Sequence, residues 1–124
     1  MRVFKTKPFA RFARQEGIAD AALCEAVRRA EAGLIDADLG GGVIKQRLAR
    51  PGRGKAGGFR SVVLLRRGVV AFFVYGFAKS DRDNIRQDEL RAFRKLAGEM
   101  LALDDEAVAA ATRNGTITEV AYHG

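Results

Sequence analysis

The chain of 124 residues is poor in the groups that most enzymes use for acid, base or metal chemistry: it has one histidine and one cysteine. His123 stands one residue from the last position, where a side chain cannot be held within reach of a nucleophile. A Ser-His or Cys-His triad is therefore excluded, and a zinc site lacks its usual ligands. Cys24 has no partner for a disulfide, which fits a reducing compartment. The first 17 residues carry Arg2, Lys5, Lys7, Arg11 and Arg14 but no apolar core of a signal peptide, and no stretch is apolar enough to span a bilayer. These absences lead to the expectation of a cytoplasmic protein with no membrane association.

A further absence is more pointed. Residues 41–70 contain 8 basic groups and no Asp or Glu, whereas residues 1–40 hold 7 basic and 6 acidic groups and residues 71–124 hold 7 and 9. The formal net charge of +7 thus arises in the middle of the chain. A polyanion would be met there first. The Gly-rich stretch within it is no P-loop, because Gly54-Lys55 is followed by Ala56 and the segment leads into a strand. No Pro- or Ser-rich linker divides the chain, and 48% hydrophobic residues suffice for one core.

What is present reads as an α+β domain. A strand at 2–5 leads to a helix with Pro8 in its first turn, ended near Glu16 by Gly17. Leu23, Val27, Ala30 and Leu34 recur at helical spacing from Asp20, giving a helical hairpin in the first quarter. After Gly40-Gly41-Gly42, a strand of about 43–50 alternates Ile44 and Leu48 with Lys45 and Arg47. Residues 51–58 read as a loop. Two apolar strands, 59–66 and 69–78, follow around a two-residue turn at Arg67-Gly68. The second is apolar almost throughout, as a central strand covered on both faces requires. Leu90, Phe93, Leu96, Ala97 and Met100 define a third helix to about Leu103. Asp104 caps a short helix, and 116–121 forms a possible last strand. The expectation is a twisted antiparallel sheet of three to four strands with helices on one face, residues 1–103 forming the domain and 104–124 a C-terminal extension.

The candidate chemistry is a cluster of cations at two strand ends: Lys45, Arg47, Arg50, Arg53, Lys55 and Arg60 on one side, Lys79, Arg82 and Arg86 on the other. With no carboxylate among residues 41–70, the first side of this cluster is either solvated or holds an external polyanion such as a nucleic-acid backbone. The plain alternatives are a charged strand edge that resists edge pairing and surface ion pairs such as Arg82 with Asp81 or Asp83. Tyr75, inside a two-faced strand, is expected in the core.

Gly57-Gly58-Phe59-Arg60, the apolar hairpin and Phe77-Ala78-Lys79-Ser80-Asp81-Arg82-Asp83-Asn84-Ile85 together resemble the RelE/HigB toxins of toxin-antitoxin systems. The motifs Leu34-Ile35-Asp36-Ala37-Asp38-Leu39-Gly40-Gly41 and Ile44-Lys45-Gln46-Arg47 are similar to a subgroup of them. The resemblance implies a RelE-like fold and a metal-independent endoribonuclease without a cofactor, which cleaves mRNA on the ribosome. It also implies a cognate antitoxin, commonly a small helix-turn-helix protein. By resemblance, Arg60 falls where an arginine holds the scissile phosphate, Lys79 and Arg82 fall in a second basic turn, and Lys45, Arg47 and Lys55 match a basic strand and loop. Ser80 and Arg86 stand where some relatives have an arginine and a stacking tyrosine, which leaves the division of acid and base open between Lys79 and Lys55.

On this reading the RNA 2′-hydroxyl attacks the phosphorus while Arg60 forks onto the non-bridging oxygens, leaving a 2′,3′-cyclic phosphate. The reading requires a free guanidinium. An internal carboxylate on Arg60, or its withdrawal into the interior, would take the nuclease assignment with it. The rivals are a ParE-like toxin that inhibits gyrase on the same fold and a non-catalytic nucleic-acid-binding module.

Overall fold

The computed structural model describes residues 1–49, 58–82 and 84–124. In chain order the elements are β1 Arg2–Thr6, α1 Lys7–Glu16, α2 Asp20–Glu31, β2 Ala37–Gly40, β3 Val43–Leu48, β4 Phe59–Arg66, β5 Val70–Ala78, α3 Gln87–Met100, α4 Asp105–Arg113 and β6 Ile117–Val120. They follow local rules. Gly17 ends α1 in the left-handed conformation, φ 68°. Asp104 accepts the Ala107 N–H at 2.8 Å to start α4.

The sheet is larger than expected and mixed. Its six strands run β2-β3-β4-β5-β1-β6. β1 lies parallel to β5, pairing Arg2 with Val70 through Lys5 with Phe73, and every other pair is antiparallel. The expectation of three to four antiparallel strands missed β2, the parallel joining of β1 and the incorporation of β6 into the same sheet. β2 is only four residues long, and a strand so short leaves little alternation to read. The β4–β5 connection is Arg67 to Val69, since Arg66 still pairs with Val70.

Both faces carry helices, which corrects the expectation of one covered face. Phe59, Val63 and Leu65 of β4 pack with Phe9 and Ala13 of α1 and with Leu23, Val27 and Ala30 of α2. Val62 and Leu64, facing the other way, pack with Val43, Phe72, Ala97 of α3 and Val108 of α4. Such burial on both sides explains why β4 and β5 are apolar at nearly every position. The segment expected as a C-terminal extension is built into the sheet: β6 pairs with β1 from Val3–Val120 to Thr6–Ile117, and Ile117 is buried.

An irregularity in β5 shapes the site. Val62 opposes Tyr75 and Val63 opposes Phe73, so Val74 has no partner. This bulge inverts the alternation beyond it, which places Tyr75 and Phe77 on the α3 face and Gly76 on the α1 face. Phe12 of α1 covers Gly76 so closely that a Cβ there would lie 2.3 Å from its ring. The site end of β5 is thereby fastened to α1.

Candidate functional site

Directly opposed residues of neighbouring strands share a face, and the register therefore lays out the site in two rows. Arg47 of β3, Arg60 of β4 and Phe77 of β5 form one, and Lys45, Val62 and Tyr75 form the next. Both rows lie on the α3 face, in line with Val43 and Leu64, and Phe93 of α3 meets Tyr75 in the second. Lys79 follows β5 in a turn, its N–H donating to the Gly58 carbonyl at 3.2 Å, which keeps the turn against the start of β4. Lys79 is exposed, Arg47 is exposed and Lys45 is half-buried. Among the described residues none of these three has an ion-pair partner.

Arg60 departs from the sequence expectation. Its Nε lies 3.3 Å from Oδ2 of Asp36, and the residue is only 8% exposed. The carboxylate missing from residues 41–70 arrives from the α2–β2 connection, 24 positions upstream. The free guanidinium that the cleavage reading required is not there, and the reading loses that support. Asp36 is itself fixed: its N–H donates to Oε1 of Gln46 at 2.8 Å. Buried Gln46 donates in turn to the carbonyls of Ala26 and Leu34 and its own carbonyl accepts from Ser61 Oγ.

Arg82 departs further. Nη1 donates to the Tyr75 hydroxyl and to Glu89 Oε2, each at 3.1 Å, while Nη2 donates to Glu89 Oε1. Nε and Nη2 also donate to the Asn84 carbonyl, at 3.0 and 2.8 Å. The guanidinium lies over the Phe77 and Tyr75 rings, 5.3 and 5.9 Å from their centroids. Glu89 accepts the Arg86 N–H at 2.9 Å as well, capping α3. The Arg82 hydrogen bond, with that N–H second, holds the Glu89 carboxyl down at about 2, and Glu89 reciprocally raises Arg82 above its ordinary value. Arg82 is thus a strut between the turn, β5 and α3, not a group presented to a ligand. Its partner is Glu89 and not Asp81.

Arg86 is well exposed, pairing with Asp88 at 3.2 Å and lying 3.9 Å from Glu89. Tyr75 is half-buried, its ring 5.7 Å from that of Phe93 in α3, so the expected core position is only partly taken up. Arg50, Arg53 and Lys55 lie outside the described residues. Among the described residues no group of His, Cys, Asp or Glu could hold a metal ion, and no helix is long and apolar enough to cross a membrane.

Sequence reasoning missed two site residues. Glu89 stands three positions after Arg86, the spacing of a capping box, which is a signal that could have found it. Asp36 has no local signal, because its partner lies in a strand two places away in the sheet. The arrangement offers exposed Arg47 and Lys79 and half-buried Lys45 at one sheet end, a set of cations suited to a phosphodiester chain.

No curated protein matches the sequence. The family described as the RelE toxin of the RelE / RelB toxin-antitoxin system matches residues 1–120, nearly the whole of what has been laid out here. With six strands, helices on both faces and a basic sheet end, the chain belongs to the RelE toxin family.

Proposed function

We propose that this toxin acts on RNA, as a metal-independent endoribonuclease that cuts messenger RNA, on the ribosome, and so arrests translation. One observation carries the reading: Lys45, Arg47 and Lys79 converge on one sheet end without a carboxylate partner among the described residues, next to the Phe77 and Tyr75 rings. Unpaired cations take up backbone phosphates. RNA brings its own nucleophile, so the protein has only to align the 2′-hydroxyl, hold the added charge and move protons. Arg47 and the outward edge of Arg60 would hold the phosphate, and Lys79 would exchange the proton. Lys55, Arg50, Arg53 and Arg86 would extend the backbone contact. The family description, which names a toxin-antitoxin system, supports a cognate antitoxin as partner, and a small acidic or helix-turn-helix protein that covers the basic end is the form proposed.

Mapping mRNA 5′ ends after induction tests this. New ends within coding sequences, absent from an Arg47→Ala/Lys79→Ala variant, are expected, with 2′,3′-cyclic phosphate on the upstream fragments. Growth arrest with intact mRNA and gyrase-dependent DNA breaks would replace the reading with the ParE-like one. The pairing of Arg60 and Arg82 favours a second reading, a nucleic-acid-binding module without catalysis. Its signature is salt-dependent RNA binding with no cleavage.

A further inference from the structure

Asp36 is the residue that the proposed chemistry leaves without a role, and its surroundings are more elaborate than a chance ion pair needs. Gln46, 2% exposed, directs both ends of its amide at the segment around Asp36: Oε1 accepts the Asp36 N–H and Nε2 donates to Leu34 and Ala26 carbonyls. A buried amide satisfied on both sides holds its partners tightly, since breaking any of these bonds leaves a buried polar group unpaired. The Asp36 backbone is therefore fixed relative to β3, and its carboxylate stands 3.3 Å from Arg60, with Nε the nearest nitrogen.

That choice of atom matters. Among the described residues no hydrogen bond or second ion pair reaches Nη1 or Nη2 of Arg60. No buried side-chain nitrogen or oxygen among the described residues lacks a partner, so these two nitrogens reach solvent. A guanidinium gripped at Nε keeps the parallel pair of Nη donors that matches two oxygens of a phosphate. Arg47, directly across the strand pair, is a like charge that would push an unheld Arg60 aside. Asp36 opposes that push while leaving the pair of arginines with one net positive charge for a ligand.

We infer that Asp36 is a positioning residue, which holds Arg60 by Nε against Arg47 so that its outer edge is aimed at the scissile phosphodiester. The inference rests on the RNA-cleavage reading and adds a residue to it. The test uses the toxin purified from its antitoxin complex, with single-turnover cleavage of an mRNA held on ribosomes, at saturating and subsaturating toxin. Binding is measured separately on the same RNA with a 2′-deoxy nucleotide at the cut site. Asp36→Asn is expected to slow the saturated cleavage rate by about 10- to 100-fold, the size of a misplaced catalytic contact, with binding changed less than about 3-fold on the same grounds. Asp36→Glu should restore most of the rate, and Asp36→Asn combined with Arg60→Lys should be no slower than Arg60→Lys alone. Far-ultraviolet dichroism and antitoxin binding equal to wild type establish that each variant is folded; should Asp36→Asn fail there, Asp36→Glu and the Arg60→Lys pair with it carry the same comparison. Asp36→Asn cutting as fast as wild type, or rate losses that multiply in the double variant, would overturn the inference alone. A wild-type chain that leaves RNA uncut would overturn it together with the function it rests on.

Discussion

Arg82 and Arg60 stand at the same end of the sheet, and each meets a carboxylate, yet on different terms. Arg82 has all three guanidinium nitrogens engaged, by Glu89, the Asn84 carbonyl and the Tyr75 hydroxyl, with two rings beneath it. Arg60 meets Asp36 in an ion pair with Nε nearest, at 3.3 Å, and no side-chain hydrogen bond from it is seen among the described residues. The lesson is that a salt bridge by itself does not decide whether an arginine is structural. What decides is how many of its five N–H donors remain for a ligand. By that measure Arg82 fastens the turn to α3, and Arg60 is held in place with donors in reserve.

The comparison breaks most visibly on exchange of the two side chains for alanine. Arg60→Ala should lower RNA cleavage by about 10²- to 10³-fold, the usual effect of deleting a donor to a transition-state oxyanion, while antitoxin binding persists; growth arrest by this variant would remove Arg60 from the mechanism. Arg82→Ala should do the reverse. Losing hydrogen bonds to a charged group at a partly buried site costs about 1–3 kcal/mol in urea unfolding, and cleavage well below the melting temperature should change only a few-fold.

Acid sharpens the same contrast. The Glu89 carboxyl is held down at about 2 in the folded chain, against an ordinary 4.5. Its contribution is therefore complete above about pH 4.5 and is lost as pH falls toward 2. Glu89→Gln should unfold more easily at neutral pH and show a shallower loss of stability over that acid range, read by chemical unfolding at each pH. A smaller effect separates a presented cation from a fastened one: Arg47→Ala should flatten the plot of log affinity against log salt by about 0.9 for RNA duplex or about 0.7 for a single strand, whereas Arg82→Ala should leave the slope alone. The smallest is expected at Arg28, whose exposed pair with Glu25 at 2.9 Å is worth well under ~1 kcal/mol; a larger loss on Arg28→Ala would mean that surface pairs here weigh more than those at the site.

Much of the fold was legible because it is local. The α2 span, the β4 span and the Asp104 cap are written in periodicity and a capping side chain, and the structure has them where the sequence puts them. The parallel placement of β1 beside β5 was not legible, since no turn joins them and nothing in Val3 or Phe4 names a partner strand. The site divides in the same way. The cations of residues 41–70 are conspicuous as a run, and Lys45 and Arg47 do stand with Arg60 and Lys79 at one sheet end. The pairing of Arg60 with Asp36 and of Arg82 with Glu89 was hidden, because each carboxylate arrives through tertiary packing from a segment of mixed charge. The orientation of Tyr75 and Phe77 was hidden too, for a bulge at Val74 carries no signature in a run of apolar residues.

The position of β1 between β5 and β6 has a consequence for how the chain comes into being. The first strand to be synthesised must wait for residues 70–73 to gain one neighbour and for residues 117–120 to gain the other. Contacts of such sequence separation form late and slow the folding of the whole. A growing polypeptide therefore cannot complete its six-stranded sheet until residues 117–120 have been made, long after the hairpin that carries Arg60 has its full register.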